Sequence, residues 1–96
     1  MIRNFKSKLA QDLYDNTLSR SARKIPVELH AKVRRLCDQL NSATRIDTLR
    51  TPPGNHLEKL KGDLTDYWSV RVNQQWRIIF KWENGDAFDV DIVDYH

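Results

Sequence analysis

Two arginines, Arg71 and Arg77, carry the first chemical signal in this chain of 96 residues. They flank Asn73-Gln74-Gln75, which reads as a three-residue hairpin loop. With that loop Val72 faces Trp76, Val70 faces Ile78 and Trp68 faces Phe80, while Arg71 lies opposite Arg77 on the other side. A two-residue loop would oppose Arg71 to Ile78, so the apolar pattern selects the odd loop, because a one-residue slip turns every side chain over. Like charges opposed across a hairpin repel unless an anion lies between them. That anion is either a neighbouring carboxylate, Asp89 or Asp91, or a bound phosphate, and the residue types leave both open.

Other groups have plainer readings. Basic clusters at Lys6/Lys8, Arg20/Arg23/Lys24 and Arg34/Arg35 form either a salt-sensitive surface for a polyanion or an ordinary solvated face. Cys37 falls on a helical apolar stripe and reads as core filler, since a reactive thiolate needs an accessible electropositive site. His30 reads as a surface helix residue, and Trp68, Trp76 and Trp82 share one parity and read as core and rim. Asp89 and Asp91 with Asp94 or His96 lack the spacing of a metal site, and Arg77 competes for the carboxylates, so no metal is expected.

Length allows one domain, residues 1–96. One Cys cannot form an internal bridge, which excludes a disulfide scaffold and favours a reducing compartment. The longest apolar run is Ile78-Ile79-Phe80, far short of the about 20 residues of a membrane span. A cytoplasmic protein without a membrane partner is the expectation. Net charge is +3, but residues 1–50 hold eleven basic and five acidic side chains and residues 51–96 five and eight. A polyanion-facing surface should therefore draw on the first half.

The elements that must position these groups divide at Thr51-Pro52-Pro53-Gly54-Asn55, where two prolines end any helix and forbid a central strand. Before it, Ile2–Phe5 reads as a first strand, Ser7 caps a helix bearing Leu9 and Leu13, and 16–24 reads as a loop. Pro26 opens a second helix with Leu29, Val33, Leu36, Cys37 and Leu40 on one stripe. Thr44 with Asp47 suggests a capped turn through Leu49. After it the period is two: His56–Lys61, Tyr67–Val72, Trp76–Trp82 and Ala87–Val93 read as strands, with Asn84-Gly85 as the last turn. The same parity test pairs Phe80 with Phe88, Ile78 with Val90, Trp76 with Ile92 and Arg77 with Asp91. The expected fold is α+β: two N-terminal helices on one face of a mainly antiparallel sheet of four to five strands. The other face is wet, with Ser69, Arg71, Arg77, Lys81, Asp89 and Asp91 on it and Tyr95 joining at the end.

The ordered set Lys61-Gly62-Asp63, Tyr67-Trp68-Ser69-Val70-Arg71-Val72-Asn73, Trp76-Arg77-Ile78 and Ile92-Val93-Asp94-Tyr95-His96 resembles the HigB branch of the RelE/ParE toxin superfamily. The opening Met1 to Lys6 and the Pro52-Pro53-Gly54-Asn55 stretch look like the same family, so the resemblance covers the whole chain. It implies a compact microbial RNase-like fold and a type II toxin, a ribosome-dependent endoribonuclease that cuts messenger RNA in the decoding site. A HigA-like antitoxin, itself a helix-turn-helix protein, would silence it, with operator DNA reached only through the antitoxin complex. The implied chemistry is attack of a ribose 2′-hydroxyl on the adjacent phosphate, needing a base, an acid and cations but no metal or cofactor. The alternative within the superfamily is a ParE-like toxin that binds a protein target such as DNA gyrase.

Carried over by motif, Lys61, Arg77, Asp94, Tyr95 and His96 match positions the family uses, with Arg71 a neighbouring cation. Arg77 would stabilise charge on the phosphate oxygens, and Lys61 would do the same or shuttle a proton. His96, of the side-chain type that titrates near neutrality, would be acid or base with Asp94 orienting it. Tyr95 would stack on a base or bond the phosphate. Lys6, Lys8, Arg23, Lys24, Arg34, Arg35 and Arg71 are the RNA-binding candidates. The sequence departs from the family pattern where some members carry a His before the Lys-Gly-Asp motif: that position is Glu58. His56 would share its strand face if the strand is regular, so the base stays open between Glu58 and His56, with a purely structural Glu58 as the third reading.

Overall fold

Hydrophobic parity fixes the first hairpin. In the computed structural model, which describes residues 1–95, strands β2 (Trp68–Arg71) and β3 (Trp76–Glu83) pair antiparallel with Trp68 opposite Phe80, Val70 opposite Ile78 and Arg71 opposite Arg77. Asn73 builds the turn: its side-chain oxygen accepts from the amides of Gln75 at 2.9 Å and Trp76 at 2.8 Å. A short strand β1 (Glu58–Lys59) and a long strand β4 (Asp86–Asp94) complete an antiparallel sheet in the order β1-β2-β3-β4. The segment before the first helix is no full strand: Ile2 and Phe5 bridge Ala87 and Val90 in parallel and flank β4.

The second hairpin departs from its expected register. Asn84 and Gly85, at φ +52° and +82°, form a two-residue turn, so Glu83 pairs with Asp86 and Phe88 lies opposite Lys81 rather than Phe80. An irregularity then intervenes at Asp89, whose φ is +51°. It is a bulge, and it restores the parity two residues on: Ile78 pairs with Ile92, Trp76 with Asp94 and Arg77 with Val93. Asn4 pins it, donating to Asp89 Oδ1 at 2.7 Å and accepting from the Asp89 amide at 3.0 Å.

Helices α1 (Lys8–Tyr14) and α2 (His30–Ser42) cover one sheet face. Ser7 caps α1 by accepting from the Ala10 amide at 3.1 Å. The α2 stripe of Val33, Leu36, Cys37 and Leu40 packs with Leu13 against Val70, Ile78, Phe80, Val90 and Ile92, with the three tryptophans half-buried at its edge. Burying a side chain such as Phe80 contributes about 1.5–3 kcal/mol. Pro26 precedes a single 3-10 turn, Val27–Leu29, that leads into α2, and the residues 46–50 form another whose cap position is Arg45, not Thr44. His30, expected at the surface, is buried with Nε2 2.8 Å from the Ile25 carbonyl, because it lies on the same stripe of α2 as Val33 and Cys37.

The second face is not uniformly wet. Leu60, Tyr67 and Ile79 form a small cluster with Leu64 and Val93, and Ser69 and Arg77 are buried beside it. The segment from β1 to β2 folds back over this side, and a polar group at its centre must therefore be partnered.

Candidate active site

Arg77 sits on that second face at the centre of β3, only 5% exposed, and its guanidinium is held from several directions. Nη1 donates to Ser69 Oγ at 2.8 Å and, at the longer distance of 3.4 Å, to the His56 carbonyl. Nη2 donates to Glu58 Oε1 at 3.0 Å. Tyr95 lies over the flat face of the group, its ring centroid 4.7 Å from Cζ. Arg77, Ser69 and Glu58 meet because Glu58 and Ser69 are directly opposite across β1 and β2, and Ser69 neighbours Arg77 across the first hairpin.

The turn of Pro52 to Asn55 aims the remaining contact. Asn55 is buried and its amide donates to Gln39 Oε1 at 3.0 Å and the Leu49 carbonyl at 3.1 Å, tying the turn to α2. His56 follows in a left-handed conformation, φ +45° and ψ +56°, which ends the turn and directs its carbonyl at Arg77. It is therefore not on a strand face beside Glu58. Its imidazole is exposed, and of the two side chains it is Glu58 that bonds Arg77.

Glu58 and Tyr95 form two walls of an open groove of about 440 Å³, with Lys59, Leu60, Lys61 and Leu64 as the others. Lys61 precedes Gly62, whose φ of +67° favours glycine and turns the chain at once into a 3-10 turn, leaving the lysine exposed at the groove. Arg71, half-buried on the same face, has no ion pair among the described residues, and neither has Lys61. Asp94 accepts from the Gln75 side chain at 3.1 Å at the end of β4. His96 lies outside the described residues. The arrangement is a cationic groove with one carboxylate at its wall, able to bind a phosphate and to accept a proton. No group of three or more His, Cys, Asp or Glu among the described residues could hold a metal.

The family described as RelE-like toxin of type II toxin-antitoxin system HigB matches residues 3–96. This chain belongs to that HigB family. Among curated relatives, Toxin HigB-1 of Vibrio cholerae is 36% identical over 93% of this chain and 92% of its own length, and Endoribonuclease HigB of Proteus vulgaris is 32% identical over the full length of both. Among solved structures, the YoeB-YefM complex from Staphylococcus aureus shares the fold, with a TM-score of 0.61 at 20% identity over 100% of this chain and 95% of that one. The chain is thus a RelE-like toxin of a type II toxin-antitoxin system.

In this HigB-family toxin the RNA-binding candidates divide between two faces. Lys6 lies 5.5 Å and Lys81 5.4 Å from the Tyr67 ring on the Arg77 face, farther along the strands, and Lys81 pairs with Asp89 at 3.5 Å. The bond from Asn4 and the Lys81 and Lys6 charges hold the Asp89 carboxyl below the usual range. Arg23, Lys24, Arg34 and Arg35 belong to the helical layer across the sheet, and Lys8 there is neutralised by Asp12 at 2.8 Å. Of the two readings left open, the one in which Asp89 and Asp91 neutralise the arginines does not hold for Arg77: Asp91 accepts from Ser7 Oγ at 2.6 Å, Asp89 pairs with Lys81, and the partner of Arg77 is Glu58. Ser69 was legible only as a polar residue on the arginine face; its small hydroxyl beside a buried arginine was the signal of its role. Among the described residues no helix is long and apolar enough to cross a membrane.

Proposed function

We propose that this toxin, acting as one microbial RNase-like domain over residues 1–96, is an endoribonuclease that cuts messenger RNA in the ribosomal decoding site. The observation that carries this reading is the buried Arg77 guanidinium joined to a carboxylate at the wall of a cationic groove. Arg77 is reached through Glu58 and Tyr95, whose exposures of 49% for the Glu58 side chain and 41% for Tyr95 leave both able to turn outward. An RNA phosphate then replaces Glu58 as the acceptor for Nη2, and the exchange is tolerated because one anion takes the place of another, so the buried guanidinium stays paired throughout. The displaced carboxylate, beside the phosphate, takes the 2′-hydroxyl proton. The 2′-oxygen bonds phosphorus, the bond from phosphorus to the 5′-oxygen breaks, and an acid supplies that oxygen with a proton. His96, oriented by Asp94, is the acid we assign; Arg77, Lys61 and Arg71 balance charge on the phosphorane, and Tyr95 stacks on a base. The scheme uses no metal and no cofactor.

The partners we assign are the ribosome with its messenger and a HigA-like antitoxin, with operator DNA reached through the antitoxin. The reaction belongs in the cytoplasm. The test is primer extension on a messenger bound to stalled ribosomes, comparing the native chain with Arg77→Ala and His96→Ala. Discrete cuts in the decoding site that need ribosomes and fade in both variants are expected. Growth arrest on expression without any cut would overturn the nuclease and favour a ParE-like toxin that binds a protein such as DNA gyrase.

A further inference from the structure

The ligands of Arg77 fall into two kinds. Glu58 and Tyr95 lie on the groove side and are about half exposed, so both can leave when a phosphate arrives. Ser69 is fully buried and the His56 carbonyl belongs to a turn anchored through Asn55 to α2, so these two stay. Of the two, the hydroxyl is the stronger acceptor by geometry, 2.8 Å against 3.4 Å. An arginine side chain with both groove ligands displaced and nothing behind it would regain its rotamer freedom when its donors must meet the phosphate.

Resting on the nuclease reading, we infer that Ser69 is a positioning residue that holds Arg77 from behind while phosphate and Glu58 exchange places in front. It touches no substrate. Its hydroxyl fixes Nη1, so that Nη2 keeps its direction toward the groove whether Glu58 or a phosphate is bound. The inference assigns work to a residue that composition and charge alone leave silent, and it explains a polar side chain at the buried junction of three strands.

The experiment combines a kinetic and a spectroscopic reading on the full chain. In single-turnover cleavage on stalled ribosomes, Ser69→Ala should lower the rate constant about tenfold or more, the range for a lost bond to a charged group, with little change in the half-saturating ribosome concentration. In the Arg77→Ala background the same change should cost nothing further, whereas a residue that only supports the sheet would cost as much in both. Nitrogen-detected spectra of the arginine side chains should show separate Arg77 Nη signals in the native chain and merged ones in Ser69→Ala. Ser69→Cys fills the same space with a weak acceptor and should lie between the two; it carries the comparison if the alanine variant does not fold. Cutting by the native chain with an unchanged rate in Ser69→Ala, or Nη signals that stay separate, overturns the inference alone. Absence of cutting by the native chain overturns the nuclease reading itself.

Discussion

Glu58→Gln separates the two roles assigned to that carboxylate, counterion and base. Glutamine keeps a side-chain oxygen for Arg77 Nη2, and Ser69 keeps Nη1, so the guanidinium stays placed while the charge and the proton acceptor are lost. The stability effect follows from burial: Arg77 is 6% exposed and loses its counterion, but the Glu58 side chain is 49% exposed and glutamine keeps the bond, so the loss falls between the about 1 kcal/mol of an exposed pair and the about 3–5 kcal/mol of a broken buried one. In a domain of this length each 1 kcal/mol lost lowers the melting temperature by about 4–8 °C. Affinity for an uncleavable messenger with a 2′-deoxy decoding site should rise, because a neutral amide is easier to displace than a carboxylate and the phosphate restores the lost counterion. Cleavage should behave quite differently, falling about 100- to 10,000-fold with the loss of a general base. The assays are circular-dichroism melts, equilibrium binding of the deoxy messenger to ribosome and toxin, and single-turnover primer extension. Cleavage that stays level or rises while binding tightens would refute the assignment, leaving Glu58 as a counterion only.

Four further outcomes follow from the same geometry. Burial pushes the Cys37 thiol from 9.0 to about 12, so at pH 8 its thiolate is about a thousandfold scarcer than an ordinary one, and a thiol reagent should react only after denaturant unfolds the chain. Bonds from Lys8 and Ser19 hold the Asp12 carboxyl below 3.8; its stabilisation is present above that pH and lost as pH falls through the folded value. Melts of the native chain and Asp12→Asn should therefore differ at pH 7 and converge as the pH is taken well below 3.8, and a constant gap would count against the bond. Asn55→Ala orphans the Leu49 carbonyl and frees the turn that aims His56, and urea unfolding should show a loss of about 1–3 kcal/mol. Arg34 and Arg35 lie across the sheet from the groove, so replacing both with alanine should lower the salt slope of ribosome binding by about 2 while leaving single-turnover cleavage of bound ribosomes unchanged.

Local patterns carried most of the fold. The α2 stripe was legible because it repeats at helical spacing over 13 residues, and the first hairpin because three apolar pairs admit only an odd loop. Elements set by distant contacts were not legible. The conformation of Asp89 is pinned by Asn4, from the far end of the chain, and no local preference marks an aspartate in that position as a bulge. His30 is buried because it continues the α2 stripe, three residues before Val33 and seven before Cys37, and its residue type, not its spacing, suggested a surface position. His56 looked like a strand residue by parity, but the turn before it ends in a left-handed residue and only Glu58 and Lys59 pair.

The bulge also decides the electrostatics of the site. With the expected register, Arg77 would lie opposite Asp91, a carboxylate fixed in a central pair, and a phosphate would have to compete with a counterion that cannot leave. The bulged register puts Val93 opposite Arg77 and lets Asp91 bond the Ser7 hydroxyl at the start of α1. The same shift brings Tyr95, on the Arg77 face in either register, two residues closer along the strand, its ring centroid 4.7 Å from the guanidinium. The counterion role passes to Glu58 on a two-residue edge strand, where a side chain turns out to solvent without disturbing a ladder. A displaceable partner is what a phosphate-binding arginine needs, since only an exchange of anions keeps a buried charge paired throughout. The sequence contains every residue of this arrangement, but which carboxylate faces Arg77 is decided by a turn one residue shorter than expected together with one extra residue in β4.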